Sequence, residues 1–271
     1  KYAFTLASPR QTAAILYDAS DAAVVKRAAE LFAADVEAVT GRYPRVTSAA
    51  GETGPAVIVG TVGGSALIRR LSEAGKIDTA PLEGAWERYL IQTVANPLPG
   101  IRKALVIAGS DRRGAAYGLF TLSELIGVSP WYWWADVPVK KHAALHVDAP
   151  PTYSQTPSVR YRGIFLNDED WGLTPWASQT FEPERVNIGP RTYAKVCELL
   201  LRLKANYLAP AMHPVSTSFN QIPENKLVAD TFAIVMGSTH CEPLLLNTAS
   251  EWDTQTMGPW NYDKNKEGIN R

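Results

Sequence analysis

The sequence predicts a layered α/β fold written in two segments. Three observations carry that expectation. Short apolar strands alternate with stretches of helical periodicity, the grammar of βαβ units. The alternation occurs once before and once after Pro150-Pro151 and Pro157. Tryptophan use changes at the same place: of eight tryptophans, Trp86 alone precedes residue 130. A boundary within residues 148–158 therefore divides the chain into domains of residues 1–155 and 156–271.

Composition bounds the rest. At 271 residues, with 46% hydrophobic and 20% charged residues, a sizeable core is available and global disorder is excluded. Lys+Arg and Asp+Glu both number 27, which removes the electrostatic basis for general binding to nucleic acid or to an anionic membrane. No run approaches the roughly 18 apolar residues of a spanning helix. Cys197 and Cys241 are too few for a disulfide framework or a zinc site. A start at Lys1 and a polar end at Arg271 suggest a trimmed chain or a fragment.

In the first segment, residues 13–17 read as a strand and Ser20 as the N-cap of a helix to about Thr40. Val25, Ala28, Phe32, Val36 and Val39 share its apolar face, and Gly41 ends it. Residues 56–59 form a buried strand, followed by a glycine-rich turn and a helix over 65–74. Residues 89–94 alternate as a half-buried strand, residues 104–108 form another buried strand, and a helix over 112–126 is capped by Ser110 or Asp111. Gly60–Ser65 has the position of a phosphate-cradling loop but neither the GxGxxG spacing nor the lysine of GxxxxGK[ST], so it reads as a tight βα turn.

The second segment repeats the pattern. Residues 161–166 form a strand, and a Trp- and Pro-rich loop leads to Pro190 at the first position of a helix. Tyr193, Val196, Leu200, Leu203 and Tyr207 mark the face of that helix. Residues 207–212 form a second strand ending at His213, a short helix covers 227–231, and residues 232–236 form a third strand leading to His240. Polar residues gather at each strand's carboxyl end, the functional edge of both a parallel barrel and an open parallel sheet. The pattern alone does not separate these two.

The densest polar signal is Asn167-Asp168-Glu169-Asp170-Trp171. Clustered acids suit acid/base work, metal binding or sugar-hydroxyl recognition, and equally a capped, solvated turn. Trp171, Trp176 and Phe181 beside them favour a sugar, whose apolar faces and hydroxyl edges match aromatic plates next to carboxylates. His213 and His240 stand at equivalent strand ends, with Glu242 two residues beyond His240. Each histidine alone reads as structural; the pair reads as a site. No compact ligand spacing points to a metal, and no cofactor is expected. No GxSxG nucleophile is present. Cys197 falls on the apolar side of a helix, buried and inert, and Cys241 is either a packed loop cysteine or a reactive thiol.

Longer strings add a resemblance. YRGIFLNDEDWGLTPW (161–176), NIGPRTYAKVCELLLRLKANYLAPAM (187–212), IVMGSTHCEP (234–243) and EWDTQTMGPWNY (251–262) resemble the start of the catalytic barrel of glycoside hydrolase family 115. IAGSDRRGAAYGLFTLSELIGVSPWYWWAD (107–136) is similar to the accessory α/β domain that precedes it. The resemblance implies an accessory domain followed by the first three or so units of a (β/α)8 barrel. Residues 159–271 supply fewer than half of the roughly 250 residues a closed barrel takes.

It further implies an inverting α-glucuronidase. Such an enzyme removes glucuronic acid, often 4-O-methylated, from its α-1,2 link to xylose in glucuronoxylan or decorated xylo-oligosaccharides. A related glycosidase of another acidic or N-acetylated sugar, or a non-catalytic carbohydrate-binding module, are the alternatives. Asn167, Asp168, Glu169, Trp171, His213, His240 and Glu242 are the expected substrate-binding residues, with Glu124 a weaker candidate from the accessory domain. Asp168 and Glu169 are also candidates for catalysis, although the main acid and base are expected beyond Arg271. A homodimer and an extracellular or periplasmic location are expected, and the 271-residue chain by itself is expected to be inactive.

Overall fold

The computed structural model describes residues 1–48, 51–167, 169–240 and 242–271, with the backbone but not the side chains of Glu169 and Leu244. It forms two compact units, Lys1–Arg160 with Leu201–Lys204, and Tyr161–Leu200 with Ala205–Arg271. The architecture is mixed α/β, and among the described residues no sheet closes into a barrel.

In the first unit the strands are β1 (Ala3–Ala7), β2 (Ala14–Leu16), β3 (Val46–Thr47), β4 (Ala56–Thr61), β5 (Tyr89–Leu98), β6 (Ile101–Gly109), β7 (Leu145–Asp148) and β8 (Thr152–Tyr153). The helices are α1 (Ala23–Thr40), α2 (Ala66–Glu73) and α3 (Arg112–Leu125). Six strands make one sheet in the order β3-β2-β4-β6-β5-β8, while β1 and β7 pair separately. β3, β2, β4 and β6 run parallel; β5 returns antiparallel to β6, and β8 antiparallel to β5. β4 is buried along its whole length, as a central parallel strand covered on both faces must be.

The expected half-buried alternation of 89–94 is not observed. Leu90, Ile91, Thr93 and Val94 are all buried, because both faces of β5 are covered: Leu90 and Val94 pack in the cluster with Ile68 and Leu71 of α2, and Tyr89, on the other face, lies against Gly118 of α3. The apolar face expected for α1 is buried in full, and Gly41 closes the helix at φ +75° with its N–H on the Glu37 carbonyl. Ser20 is not its cap. The helix starts at Ala23 without a side-chain cap, because Ser20 gives both its N–H (2.9 Å) and its hydroxyl (2.7 Å) to Asp18. Asp111 caps α3 through the Arg113 and Gly114 amides, while Ser110 accepts from Arg88 N–H.

The turn after β4 holds its own anions. Asp21 accepts from the Thr61 amide and hydroxyl, both at 2.7 Å, and Asp18 accepts from the Ala66 amide at the start of α2, also at 2.7 Å. Carboxylates of the chain occupy the donors that a phosphate would need, which supports the tight-turn reading.

Arg202 makes the most deeply buried ion pair described in this unit. Its guanidinium grips Asp35 of α1 at 2.8 and 2.9 Å, with both side chains at most 3% exposed. It lies over the rings of Phe120 (4.9 Å) and Tyr132 (4.8 Å), so the desolvated charge faces π-clouds as well as its counter-ion. Removing one partner strands a buried charge, whereas removing both does not. Asp35→Leu or Arg202→Met alone is expected to cost about 3–5 kcal/mol in urea unfolding, and the double substitution much less than the sum.

Asp18 gives a pH-dependent prediction. The Ser20 amide, foremost, holds its carboxyl below the usual range. Its stabilisation is therefore full above the unfolded-state value of about 3.9 and is lost as pH falls through the lower folded value. Asp18→Asn is expected to lower stability at neutral pH and to flatten the acid limb of a stability-versus-pH curve.

Candidate functional site

The second unit is built on β9 (Gly163–Phe165), β10 (Tyr207–Ala209) and β11 (Val235–Met236), parallel and in the order β11-β10-β9. Between them run α4 (Thr174–Trp176), α5 (Pro190–Arg202) and α6 (Pro223–Thr231); α7 (Thr254–Met257) and α8 (Lys266–Ile269) follow. Parallel alignment sends all three carboxyl ends to one edge, so residues distant in sequence meet there. Gly163 and Gly237 are tight spots: a Cβ on the first would run into the Tyr207 carbonyl and on the second into the Tyr207 hydroxyl.

Two details of α5 and its flanks differ from expectation. Pro190 opens the helix, but it ends at Arg202; Leu203 is exposed and Tyr207 already belongs to β10. The start of α5 is capped by a group absent from the sequence reading. Glu182 is buried and accepts from the amides of Gly189, Arg191 and Thr192 and from the Thr192 hydroxyl at 2.9–3.2 Å. A carboxylate suits the positive end of a helix.

The stretch after β9 is helical rather than an open loop. Glu169–Leu173 and Ala177–Phe181 are wide π-turns on either side of α4, a widening often found at functional sites. Asn167 is exposed, Asp168 lies outside the described residues, and of Glu169 only the backbone is described. The aromatics divide. Trp176 and Phe181 stack on each other at 4.9 Å, with Arg191 over Phe181, whereas Trp171 is 89% exposed.

Asp170 and His213 meet. Asp170 Oδ2 lies 2.6 Å from His213 Nδ1, joining the segment after β9 to the segment after β10. The Ser216 amide and hydroxyl both bond the His213 carbonyl at 2.9 Å and fix the turn. With Nδ1–H given to the carboxylate, Nε2 is an acceptor in the neutral ring and a second donor in the imidazolium. The half-exposed ring can thus take a hydroxyl proton or bind an anion.

His240, exposed, holds φ +50°, and Glu242 is only 4% exposed. Asn247, fully buried, links Glu242 to the segment after β10: its Nδ2 donates to the Met212 carbonyl (2.8 Å) and to Glu242 Oε1 (3.3 Å), and its Oδ1 accepts from Ala249 and Ser250 N–H. Sequence reasoning missed Asn247; its place before Thr248-Ala249-Ser250, where an Asx turn caps two amides, was the available signal. Glu124 belongs to the first unit, on α3, where it pairs with Lys204 Nζ at 2.6 Å.

Among the described residues, no group of three His, Cys, Asp or Glu is arranged to hold a metal ion. Cys241 lies outside the described residues. Cys197 is buried on α5, and burial pushes its thiol up to about 12. Its thiolate is therefore scarce at ordinary pH. Peptide mapping after iodoacetamide treatment at pH 8 is expected to find Cys197 unmodified in the folded chain and modified in urea. Asn247→Leu, which leaves the Ala249 and Ser250 amides and Glu242 without this partner, is expected to lower stability by about 1–3 kcal/mol in chemical denaturation.

Residues 154–271 match the model of Glycosyl hydrolase family 115. The solved structure of a family GH115 4-O-methyl-alpha-glucuronidase, with specificity for decorated arabinogalactans, is similar over 98% of this chain and 33% of that one, at 38% identity and a TM-score of 0.83. A mutant Streptomyces plicatus beta-hexosaminidase in complex with product is similar in fold alone, over 87% of this chain and 42% of that one, at 15% identity and a TM-score of 0.50. No curated protein matches. This chain spans about a third of the length of the glucuronidase it matches. The similarity to that enzyme extends over nearly the whole of this chain, and the chain belongs to glycosyl hydrolase family 115.

Proposed function

We propose that the chain is a portion of an α-glucuronidase: residues 1–155 an accessory α/β domain, residues 156–271 the opening arc of a (β/α)8 catalytic barrel. The reaction releases glucuronic acid, or its 4-O-methyl ether, from an α-1,2 link to xylose in glucuronoxylan, with inversion. The observation that carries this reading is the Asp170–His213 pair in the segments that follow two adjacent parallel strands, in a chain 38% identical to a GH115 glucuronidase. That enzyme's specificity for decorated arabinogalactans favours a second reading of the polymer, an arabinogalactan backbone, for the same bond cleavage.

In this mechanism His213, oriented by Asp170, offers Nε2 to a hydroxyl or to the carboxylate of the uronic acid. Trp171 supplies a plate for a sugar face. Asn167, Asp168, Glu169 and His240 are assigned to the sugar hydroxyls by the family resemblance, as is Glu242, which is buried and held by Asn247. Inversion needs an acid and a base roughly 6.5–9.5 Å apart with a water between base and sugar. Barrel strands beyond these three complete that pair. A polymeric plant glycan puts the enzyme outside the cytoplasm, in the periplasm or medium.

The test is release of glucuronic acid from glucuronoxylan and from arabinogalactan, followed by chromatography and by proton NMR of the first-formed anomer. A family-length enzyme containing this sequence is expected to turn over and to release the β-anomer first. His213→Ala or Asp168→Ala is expected to lower kcat/KM by about 10²-fold, the scale of losing one positioned group. The 271-residue chain is expected to be inactive. Turnover by that chain alone would overturn the partial-barrel reading, and full activity in both variants would overturn the site.

A further inference from the structure

The first unit carries a cavity of about 380 Å³ that the proposed reaction does not use. Its origin is topological. Ile68 and Leu71 of α2 pack with Leu16, Ile58 and Val106 on one face of the sheet, whereas Gly118 of α3 approaches Ile107 on the other. With only eight residues, about 12 Å of helix, α2 leaves the β2–β3 side of its face open. The cavity lies there, at the low end of the ~300–1,000 Å³ range of small-molecule sites.

Its charges define what it can hold. Two acids line it, and both are already engaged: Asp18 accepts from the Ala66 and Ser20 amides, and Glu52 is ion-paired with Arg45. The cationic group in the lining is Arg70, in the last turn of α2, which has no carboxylate partner among the described residues. A guanidinium with open donors selects a carboxylate, which it can grip in bidentate fashion. Thr47 and Ser48 add hydroxyls at the end of β3, and Leu16, Leu67 and Leu98 add an apolar wall. A ligand that satisfies all three has one carboxylate, a hydroxylated edge and an apolar face.

We propose that this cavity is a secondary binding site for a single uronic acid unit, either the free sugar or the side group of a polysaccharide. The ligand class follows from the lining; its sense as a site that holds substrate or product rests on the glucuronidase reading.

The test is an amide NMR titration of the 271-residue chain with D-glucuronic acid, with an aldobiouronic acid and, as the neutral control, with D-glucose. Saturable shifts at Thr47, Ser48, Leu67 and Arg70 are expected with either acid, the better binder telling which source the site holds. Glucose is expected to bind at least tenfold more weakly, as are both acids to Arg70→Met, with partial recovery in Arg70→Lys; His213→Ala is expected to leave these shifts unchanged. Equal binding of glucose, an unaltered Arg70→Met titration, shifts confined to the surroundings of His213, or no shifts at all would overturn the proposal. Glucuronic acid release by a family-length enzyme, measured alongside, separates the two readings: turnover without cavity binding sinks the cavity and leaves the glycosidase standing.

Discussion

Parallel direction is the constraint on which the site depends. Three short strands, none longer than three residues, hydrogen-bond side by side with the same polarity. Their carboxyl ends therefore open on one edge, which lets residues from different segments meet there. Asp170 and His213 are 43 residues apart in the chain and 2.6 Å apart in space for this reason. An antiparallel arrangement would have put one of them at the far end of the sheet.

Such short strands specify little by themselves, and buried polar groups supply the rest of the definition. Asn247 joins the segment after β10 to Glu242, Glu182 closes the start of α5, and Asn206 accepts from Arg162 N–H beside β9. Each replaces water with directed bonds that only one backbone arrangement satisfies. The first unit uses the same device around Asp18 and Asp21, and in the ion pair of Asp35 with Arg202. Function and packing thus draw on the same residue types. Asn247 and Glu182 are enclosed, as is Glu242, while His213, Asp170 and Trp171 keep access to solvent.

Local signals were legible and distant ones were not. The apolar stripe of α1, Gly41 in its left-handed position, Asp111 as a cap, and Pro190 at the head of α5 follow from spacing and backbone preference within a few residues. The second and third strands were found in the right places but drawn too long: residues 207–212 and 232–236 shrink to Tyr207–Ala209 and Val235–Met236, so His213 and His240 each lie four residues beyond a strand end. Ser20 misled because a neighbouring acid competes for its donors. β5 misled because burial on both faces comes from the helices packed on them, α2 on one side and α3 on the other, not from its own pattern. Residues 169–181 suggested an open loop through their Trp and Pro content, yet Pro175 sits in the first turn of α4, where proline is tolerated. The Asp35–Arg202 pair joins residues 167 apart, and no local rule announces it. Asp170 was visible only as one of three adjacent acids, and geometry singles it out.

The account stands on the Asp170–His213 pair as a sugar-binding element of a glucuronidase. A crystal structure of a family-length enzyme containing this sequence, soaked with glucuronic acid, tests that claim most directly. The account predicts His213 Nε2 within about 3 Å of a hydroxyl or carboxylate oxygen of the sugar, with the Asp170 contact retained. A sugar seated at the barrel mouth on other groups, with His213 turned away and bonded only within the protein, would contradict it.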